Sequence, residues 1–219
     1  MQAYFGILQN CPLFSEMSEA EIRTALDCLG AKTAQFRKNE TVFSEGKSAK
    51  HIGIVLSGAV QIVRIDYFGN RSITASVGPS ELFGESFACA MVRAIPIDAV
   101  AAEDTAILFL DFQKLLAPSG GSCALHQKLI FNLLKITASK NLQLLKKSEI
   151  TSKRTTREKL MTYLHMEAKR AQSNRFEIPY DRQALADYLE VDRSGLSAEI
   201  SKLRKEGVLS CTRNRFELL

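Results

Sequence analysis

This chain has no uninterrupted apolar run of the roughly 18 residues needed to cross a bilayer as a helix, so no membrane span is expected. Its opening, Met1-Gln2-Ala3-Tyr4-Phe5, lacks the basic segment and apolar stretch of a secretory signal, and a cytoplasmic protein is expected. Cysteine is sparse: Cys11, Cys28, Cys89, Cys123 and Cys211 are odd in number, scattered, and never spaced as CxxC. That excludes a disulfide framework and zinc-knuckle spacing, and it fits reduced thiols. Histidine is sparser still, with His51 alone between Thr33 and Leu110. A cupin-like metal site needs His-x-His plus a further His and a Glu on adjacent strands, so a metalloenzyme of that kind is excluded. There is no P-loop and no nucleophile–base pair, and neither an enzyme nor an identifiable metal or cofactor is expected.

What is present is an uneven charge. Up to Ala124 there are ten Lys/Arg against thirteen Asp/Glu, and from Leu125 onward nineteen against eleven. A basic second half points to a polyanion, nucleic acid first and anionic membrane second, against the plainer reading of a solvated basic face. With 46% apolar residues in 219, two modest cores are expected.

Residues 15 to 30 read as a helix, with Ser18 and Glu21 as a capping box and Ile22, Leu26 and Leu29 on one face. From Thr33 to Leu110 the period becomes two. Alternating runs such as Ile52–Leu56 and Val60–Val63 are broken by Gly46, Gly58, Gly69, Gly78 and Gly84, and Asp66–Asn70 forms a hairpin turn. Short strands with this punctuation predict a small antiparallel barrel or roll. Residues 111 to 118 read as a short helix stopped by Pro118, and Ser119-Gly120-Gly121-Ser122 as a flexible joint.

A long helix follows, from Cys123 to Ser152. It carries two apolar stripes, Leu125, Leu129, Leu133 and Ile136, then Leu134, Ala138, Leu142 and Leu145. One stripe can cover the roll; the other needs a second partner, most simply the same helix of another subunit. Leu129, Leu133 and Ile136 are the expected dimerisation residues. The pattern breaks at Thr151–Thr156, where Thr155 and Glu158 form a second capping box. The expected organisation is a β-roll over 1–122, a dimerisation helix over 123–152 and a C-terminal domain over 153–219. The fold class is α+β.

The segment from Tyr180 to Glu206 carries the chemistry. Asp181 can cap a helix bearing Leu185, Ala186 and Leu189, and Asp192 a second bearing Leu196, Ile200 and Leu203. Small Ala186 allows close crossing, and Val191 completes the shared core. The start of the second helix is then left facing outward with Arg193, Ser194, Ser197 and Ala198, followed by Lys202, Arg204 and Lys205. Short donors and an Arg at a helix start suit base edges, and later cations suit phosphates. Val208 to Leu218 reads as a two-stranded wing with Arg213, Asn214 and Arg215 at its tip. An αα-hairpin with no nucleic-acid role is the plainer alternative.

Arg182–Leu189, Val191-Asp192-Arg193-Ser194, Leu196-Ser197 and Leu203-Arg204-Lys205-Glu206-Gly207 together resemble the helix-turn-helix of CRP/FNR transcription regulators. Phe36–Gly46, Gly58–Ile62 and Phe83-Gly84-Glu85 resemble signatures of the cyclic-nucleotide-binding roll, in the order that family has them. The resemblance covers nearly the whole chain. It implies a bacterial homodimer binding a pseudo-palindromic operator in double-stranded DNA. RNA polymerase is an implied partner, and Arg182 and Arg213 join the DNA-contacting residues.

In cyclic-nucleotide binders of this fold, Gly-Glu takes the ribose, and Arg with a hydroxyl residue takes the phosphate. The resemblance therefore places an effector pocket at Phe83, Gly84, Glu85, Ile97, Asp98 and Ala99. Gly84 and Glu85 match, but Ile97 and Asp98 stand where the phosphate pair should be. A buried phosphate beside Asp98 without its Arg costs several kcal/mol, so cAMP is not the expected effector. Arg93 is the one nearby substitute cation. Cys89, Met91, Phe83 and Phe87 would make the pocket apolar and open to another small molecule. Relatives that sense oxygen hold an iron–sulfur cluster on four cysteines, mostly near the N-terminus, where this chain has only Cys11 and Cys28. Haem would need His51, His126 or a cysteine as axial ligand, and thiol sensing would fall to Cys89 or Cys123.

Overall fold

A computed structural model describes residues 4–48, 50–69, 71–116 and 123–219, without the side chains of Leu116 and Cys123. The joint expected at Ser119–Ser122, the stop at Pro118 and the Cys123 thiol lie outside the described residues. The chain forms two compact units, one of Met1–Arg64 with Ala75–Asn141, the other of Ile65–Thr74 with Leu142–Leu219.

The first unit opens with α1 (Phe5–Gln9) and a single 3₁₀ turn at Pro12–Phe14, followed by α2 (Glu19–Cys28). The helix expected over residues 15–30 is trimmed by its cap. The Glu21 N–H donates to Ser18 Oγ (3.3 Å) and the Ser18 N–H to Glu21 Oε2 (2.7 Å), closing the capping box. Lys128 Nζ also reaches Glu21 Oε1 at 2.7 Å, and these contacts hold the Glu21 carboxyl at about 2. The α1 and 3₁₀ pieces are too short to show a period, yet their Leu8, Leu13 and Phe14 are core residues.

Eight strands follow: β1 (Lys32–Phe36), β2 (Thr41–Phe43), β3 (His51–Ser57), β4 (Val60–Ile65), β5 (Arg71–Val77), β6 (Leu82–Phe83), β7 (Asp98–Ala101) and β8 (Thr105–Asp111). They form two four-stranded sheets, ordered β1-β8-β3-β6 and β2-β7-β4-β5. Short helices α3 (Glu85–Cys89) and α4 (Phe112–Leu116) interrupt and end the run, and α5 (Cys123–Thr151) follows.

Strand β3 departs from the alternation expected of it, because Ile52–Leu56 are all buried. Ile52, Ile54 and Leu56 face a core shared with Ile22, Leu26 and the first stripe of α5, while Val55 turns into the roll interior with Phe83 and Ile107. Helices cover what would otherwise be a wet face, so the polar half of the period vanishes. Gly53 is required here: a Cβ would stand 2.3 Å from the Phe83 ring.

The same core corrects the expectation for Leu129, Leu133 and Ile136 as dimerisation residues. Leu129, Leu133 and Ile136 are buried against Leu8, Phe14 and Ile22 of their own chain and are closed to a partner. Asn132 lies among them, donating to the carbonyls of Leu13 (3.0 Å) and Ser15 (2.9 Å). Each such leucine or isoleucine gains roughly 1.5–3 kcal/mol by leaving water. The opposite face of α5 stays exposed, with Ile130, Phe131, Leu134 and Ala138 in this unit and Leu142 and Leu145 in the second.

The second unit holds the last turns of α5, then α6 (Thr156–Ala171), β9 (Arg175–Glu177), α7 (Arg182–Leu189), α8 (Arg193–Lys205), β10 (Leu209–Thr212) and β11 (Arg215–Leu218). Thr155 and Glu158 cap α6 as a second capping box. The wing is three-stranded, ordered β10-β11-β9, because the extended piece before α7 pairs with β11 through Phe176 and Phe216. Leu185, Ala186, Leu189, Leu196, Ile200 and Leu203 form its helical core, and Val191 is only half-buried. Among the described residues, no helix is long and apolar enough to cross a membrane.

Candidate nucleic-acid interface and effector pocket

Both helices of the helix-turn-helix start on a carboxylate cap. Asp181 Oδ1 accepts from the Ala184 N–H and Asp192 Oδ2 from the Gly195 N–H, each at 2.8 Å. Ala186 is fully buried where the helices meet, and Glu190 ends α7 in a left-handed turn (φ 55°). Arg157 on α6 pairs with Glu206 (2.6 Å) and Glu199 (3.5 Å), anchoring the middle and the C-terminal end of α8.

That packing leaves Arg193, Ser194, Ala198, Lys202, Arg204 and Lys205 exposed and Ser197 half-buried. Arg193 and Lys202 have no hydrogen-bond or ion-pair partner among the described residues. Ser194 is different: its hydroxyl donates to Asp192, which with the Gly195 N–H holds that carboxyl below its usual range. Ser194 therefore offers DNA only acceptor lone pairs.

The remaining expected DNA contacts divide. Arg213 is exposed at the wing tip in a left-handed turn (φ 55°). Its neighbours are engaged, since Asn214 Nδ2 donates to Glu177 Oε1 (2.9 Å) and Arg215 Nε to Glu177 Oε2 (3.2 Å). Arg182 is not part of the exposed group. Its guanidinium is half-buried 5.9 Å over the Phe216 ring, with Nη1 shielded and unpartnered. The resemblance placed Arg182 among the DNA contacts, but a motif match does not separate a cation on a ring from one in water.

In the roll, Phe83, Gly84, Ile97, Asp98 and Ala99 do converge, joined by Phe43, Ile62, Phe87 and Ile95. The cavity between them is about 10 Å³, the room of a single water. Gly84 (φ 80°) is held there by the Phe43 ring, 2.6 Å from where its Cβ would be.

Glu85 is the exception. It is 2% exposed and turned to α5, with Oε1 3.0 Å from Lys140 Nζ, which also donates to the Leu82 carbonyl. Asp98 is committed as well, its Oδ1 accepting from the Glu45 N–H at 2.7 Å. Cys89 and Met91 are exposed residues that do not line the pocket, and partial desolvation of the Cys89 sulfur, with Glu85 nearby, pushes its thiol up, away from thiolate chemistry. Arg93 is exposed and does not line the cavity. Among the described residues, the lining of this cavity offers a cyclic nucleotide neither room nor a guanidinium, and Asp98 adds a carboxylate to it.

Two family descriptions match this chain, a cyclic nucleotide-binding domain over residues 33–117 and a Crp-like helix-turn-helix domain over residues 158–219. The chain is 25% identical over 213 residues to the transcriptional activator protein FnrA of Stutzerimonas stutzeri, spanning 95% of this chain and 84% of that one. It is 24% identical over 200 residues to the transcriptional activator protein anr of Pseudomonas aeruginosa, spanning 89% and 80%. Among solved structures, the fold matches CLP, a global regulator of Xanthomonas campestris, with a TM-score of 0.74 at 17% identity over 92% of this chain and 99% of that one. It matches FixK2 of Bradyrhizobium japonicum with a TM-score of 0.69 at 22% identity over 86% and 92%. With both domains matched in this order and both curated relatives transcriptional activators, the chain belongs to the CRP/FNR family, whose members are DNA-binding transcription regulators and not enzymes.

Proposed function

We propose that the chain acts as a homodimer on a pseudo-palindromic operator in double-stranded DNA, in the cytoplasm and in contact with RNA polymerase. Residues 1–122 serve as the sensory roll, 123–152 as the dimerisation helix and 153–219 as the DNA-binding domain. The observation that carries this reading is the outer face of α8, where Arg193 and Lys202 stand unpaired on a helix fixed by its cap and by Arg157. Arg193, Ser194, Ser197 and Ala198 face the groove; Lys202 and Arg213 take phosphates. The exposed stripe Ile130, Phe131, Leu134, Ala138, Leu142 and Leu145, not the buried one, pairs with its copy. DNA binding is modulated by an effector other than cAMP acting through the roll, because Ile97, Asp98 and the filled cavity leave a cyclic phosphate no seat.

The test is selection of duplexes by the purified protein from a random-sequence library, with calorimetry against cAMP. Enrichment of an inverted repeat and no heat with cAMP support the reading. Failure to enrich any duplex, or a low-micromolar dissociation constant for cAMP, overturns the corresponding half.

A further inference from the structure

The hairpin between β4 and β5 does more than turn the chain. Its residues Ile65–Thr74 belong to the compact unit of the helix-turn-helix, and three of them bond to that unit. Arg71 Nη1 lies 2.8 Å from Asp187 Oδ2 on α7, and the other Asp187 oxygen accepts from Gln183 Nε2 at 2.8 Å. Ser72 Oγ donates to Glu190 Oε1 at 3.1 Å. The Ile73 carbonyl accepts from Lys147 Nζ at 2.8 Å.

Lys147 joins these pieces. It projects from the end of α5, is 8% exposed, and also donates to the Tyr188 carbonyl. Its ammonium sits 4.1 Å over the Tyr188 ring and 3.8 Å from Glu190 Oε1. Lys159 of α6 donates to the Glu190 carbonyl at 3.2 Å. A buried ammonium is tolerated only where its donors are satisfied, and here they are spent on the hairpin, α7 and the turn together.

We propose that Arg71, Ser72 and Lys147 are positioning residues for DNA recognition: they clasp Asp187 and Glu190 and so fix the turn from which α8 departs. Asp187 lies in the last turn of α7, and Glu190 immediately follows the helix. Glu190 is the left-handed residue at the corner, and Asp192, two residues on, caps α8. The clasp leaves the recognition face clear, since among the described residues no hydrogen bond or ion pair given for the hairpin reaches Arg193, Ser194, Ala198 or Lys202. It therefore promotes DNA binding by ordering α8 before contact, at no cost in occlusion. This inference rests on the DNA-binding reading above.

The experiment measures fluorescence anisotropy of the duplex selected by the wild-type protein, together with thermal unfolding of each variant. Arg71→Ala is expected to weaken binding by about tenfold, the scale of a lost charge-assisted hydrogen bond, while still unfolding in one cooperative transition. Arg71→Lys is expected to recover part of the loss, and the exchange Arg71→Asp with Asp187→Arg most of it. Ser72→Ala, a milder change, should show a smaller loss in the same direction and decides the matter if Arg71→Ala fails to fold. Affinity within twofold of wild type for Arg71→Ala, tighter binding, or equal losses in Arg71→Ala and the exchange would overturn the clasp. A wild-type protein that selects no duplex overturns the DNA-binding reading itself, and the clasp with it.

Discussion

Leu133 and Leu134 are adjacent on α5 and point to opposite faces, so a pair of substitutions separates folding from association. Leu134 is 64% exposed, whereas Leu133 packs in the core. In a dimer built on the exposed stripe, each Leu134 gives roughly 1.5–3 kcal/mol by leaving water, and the two-fold doubles it. Leu134→Glu removes both contributions and places two carboxylates near the seam, a further several kcal/mol if they are desolvated. The sum is at least about 3 kcal/mol, more than a hundredfold in the dimer dissociation constant. Inside one chain the change is nearly neutral, because Leu and Glu have similar helix propensity. Leu133→Ala should do the reverse, costing about 2–5 kcal/mol of folding stability. Sedimentation equilibrium over a range of concentrations, paired with urea unfolding, reads both quantities. The reasoning is refuted if the wild-type protein is monomeric at micromolar concentration. It is equally refuted if Leu134→Glu associates like wild type, or if Leu133→Ala dissociates the dimer without losing stability.

Arg193→Ala should weaken DNA binding. A uniform loss across sequences with the salt slope reduced by about one marks a phosphate contact, which its place at the helix start favours; a loss of about 1–3 kcal/mol at one base pair marks base reading. Gly53→Ala should destabilise the first unit by about 1–3 kcal/mol in thermal unfolding, since the new methyl overlaps the Phe83 ring; an unchanged midpoint would show that the ring moves freely. Lys147 should make stability depend on alkaline pH. Burial lowers its ammonium from 10.5 to about 8, with Lys159 adding to the effect and Glu190 opposing it. Between those values the unfolded chain binds a proton that the folded chain does not, so stability rises with pH through this window, by about 2–3 kcal/mol. Urea unfolding of wild type against Lys147→Met from pH 7 to pH 10 isolates the slope, and parallel curves would remove the assignment.

The parts of this fold that depend on residues three or four apart were legible in the chain. The capping boxes of Ser18 with Glu21 and Thr155 with Glu158, and the caps at Asp181 and Asp192, form because the donor and acceptor are brought together by one helical turn. The helix-turn-helix and its exposed Arg193 follow from the same local spacing. Two stripes on α5 were equally legible, but not which one faces inward. Hydrophobic period gives a direction around the helix and no partner, and only the docking of Leu8, Phe14 and Ile22 decides for Leu129, Leu133 and Ile136.

Other features were settled by long-range packing. The uninterrupted burial of β3 required helices on its outer side. Glu85 carries a ribose-binding signature in sequence, yet Lys140 on a distant helix turns it away from the cavity, because a buried carboxylate takes the nearest available cation. Arg71 and Asp187 are 116 positions apart, with no local pattern to link them. Sequence by itself determined the elements, their caps and the chemistry of the recognition helix, since those are set within a turn or two of chain. Tertiary structure alone decided which faces are buried and which charges are paired, since a charge or an apolar stripe has no preferred partner until folding brings one within reach.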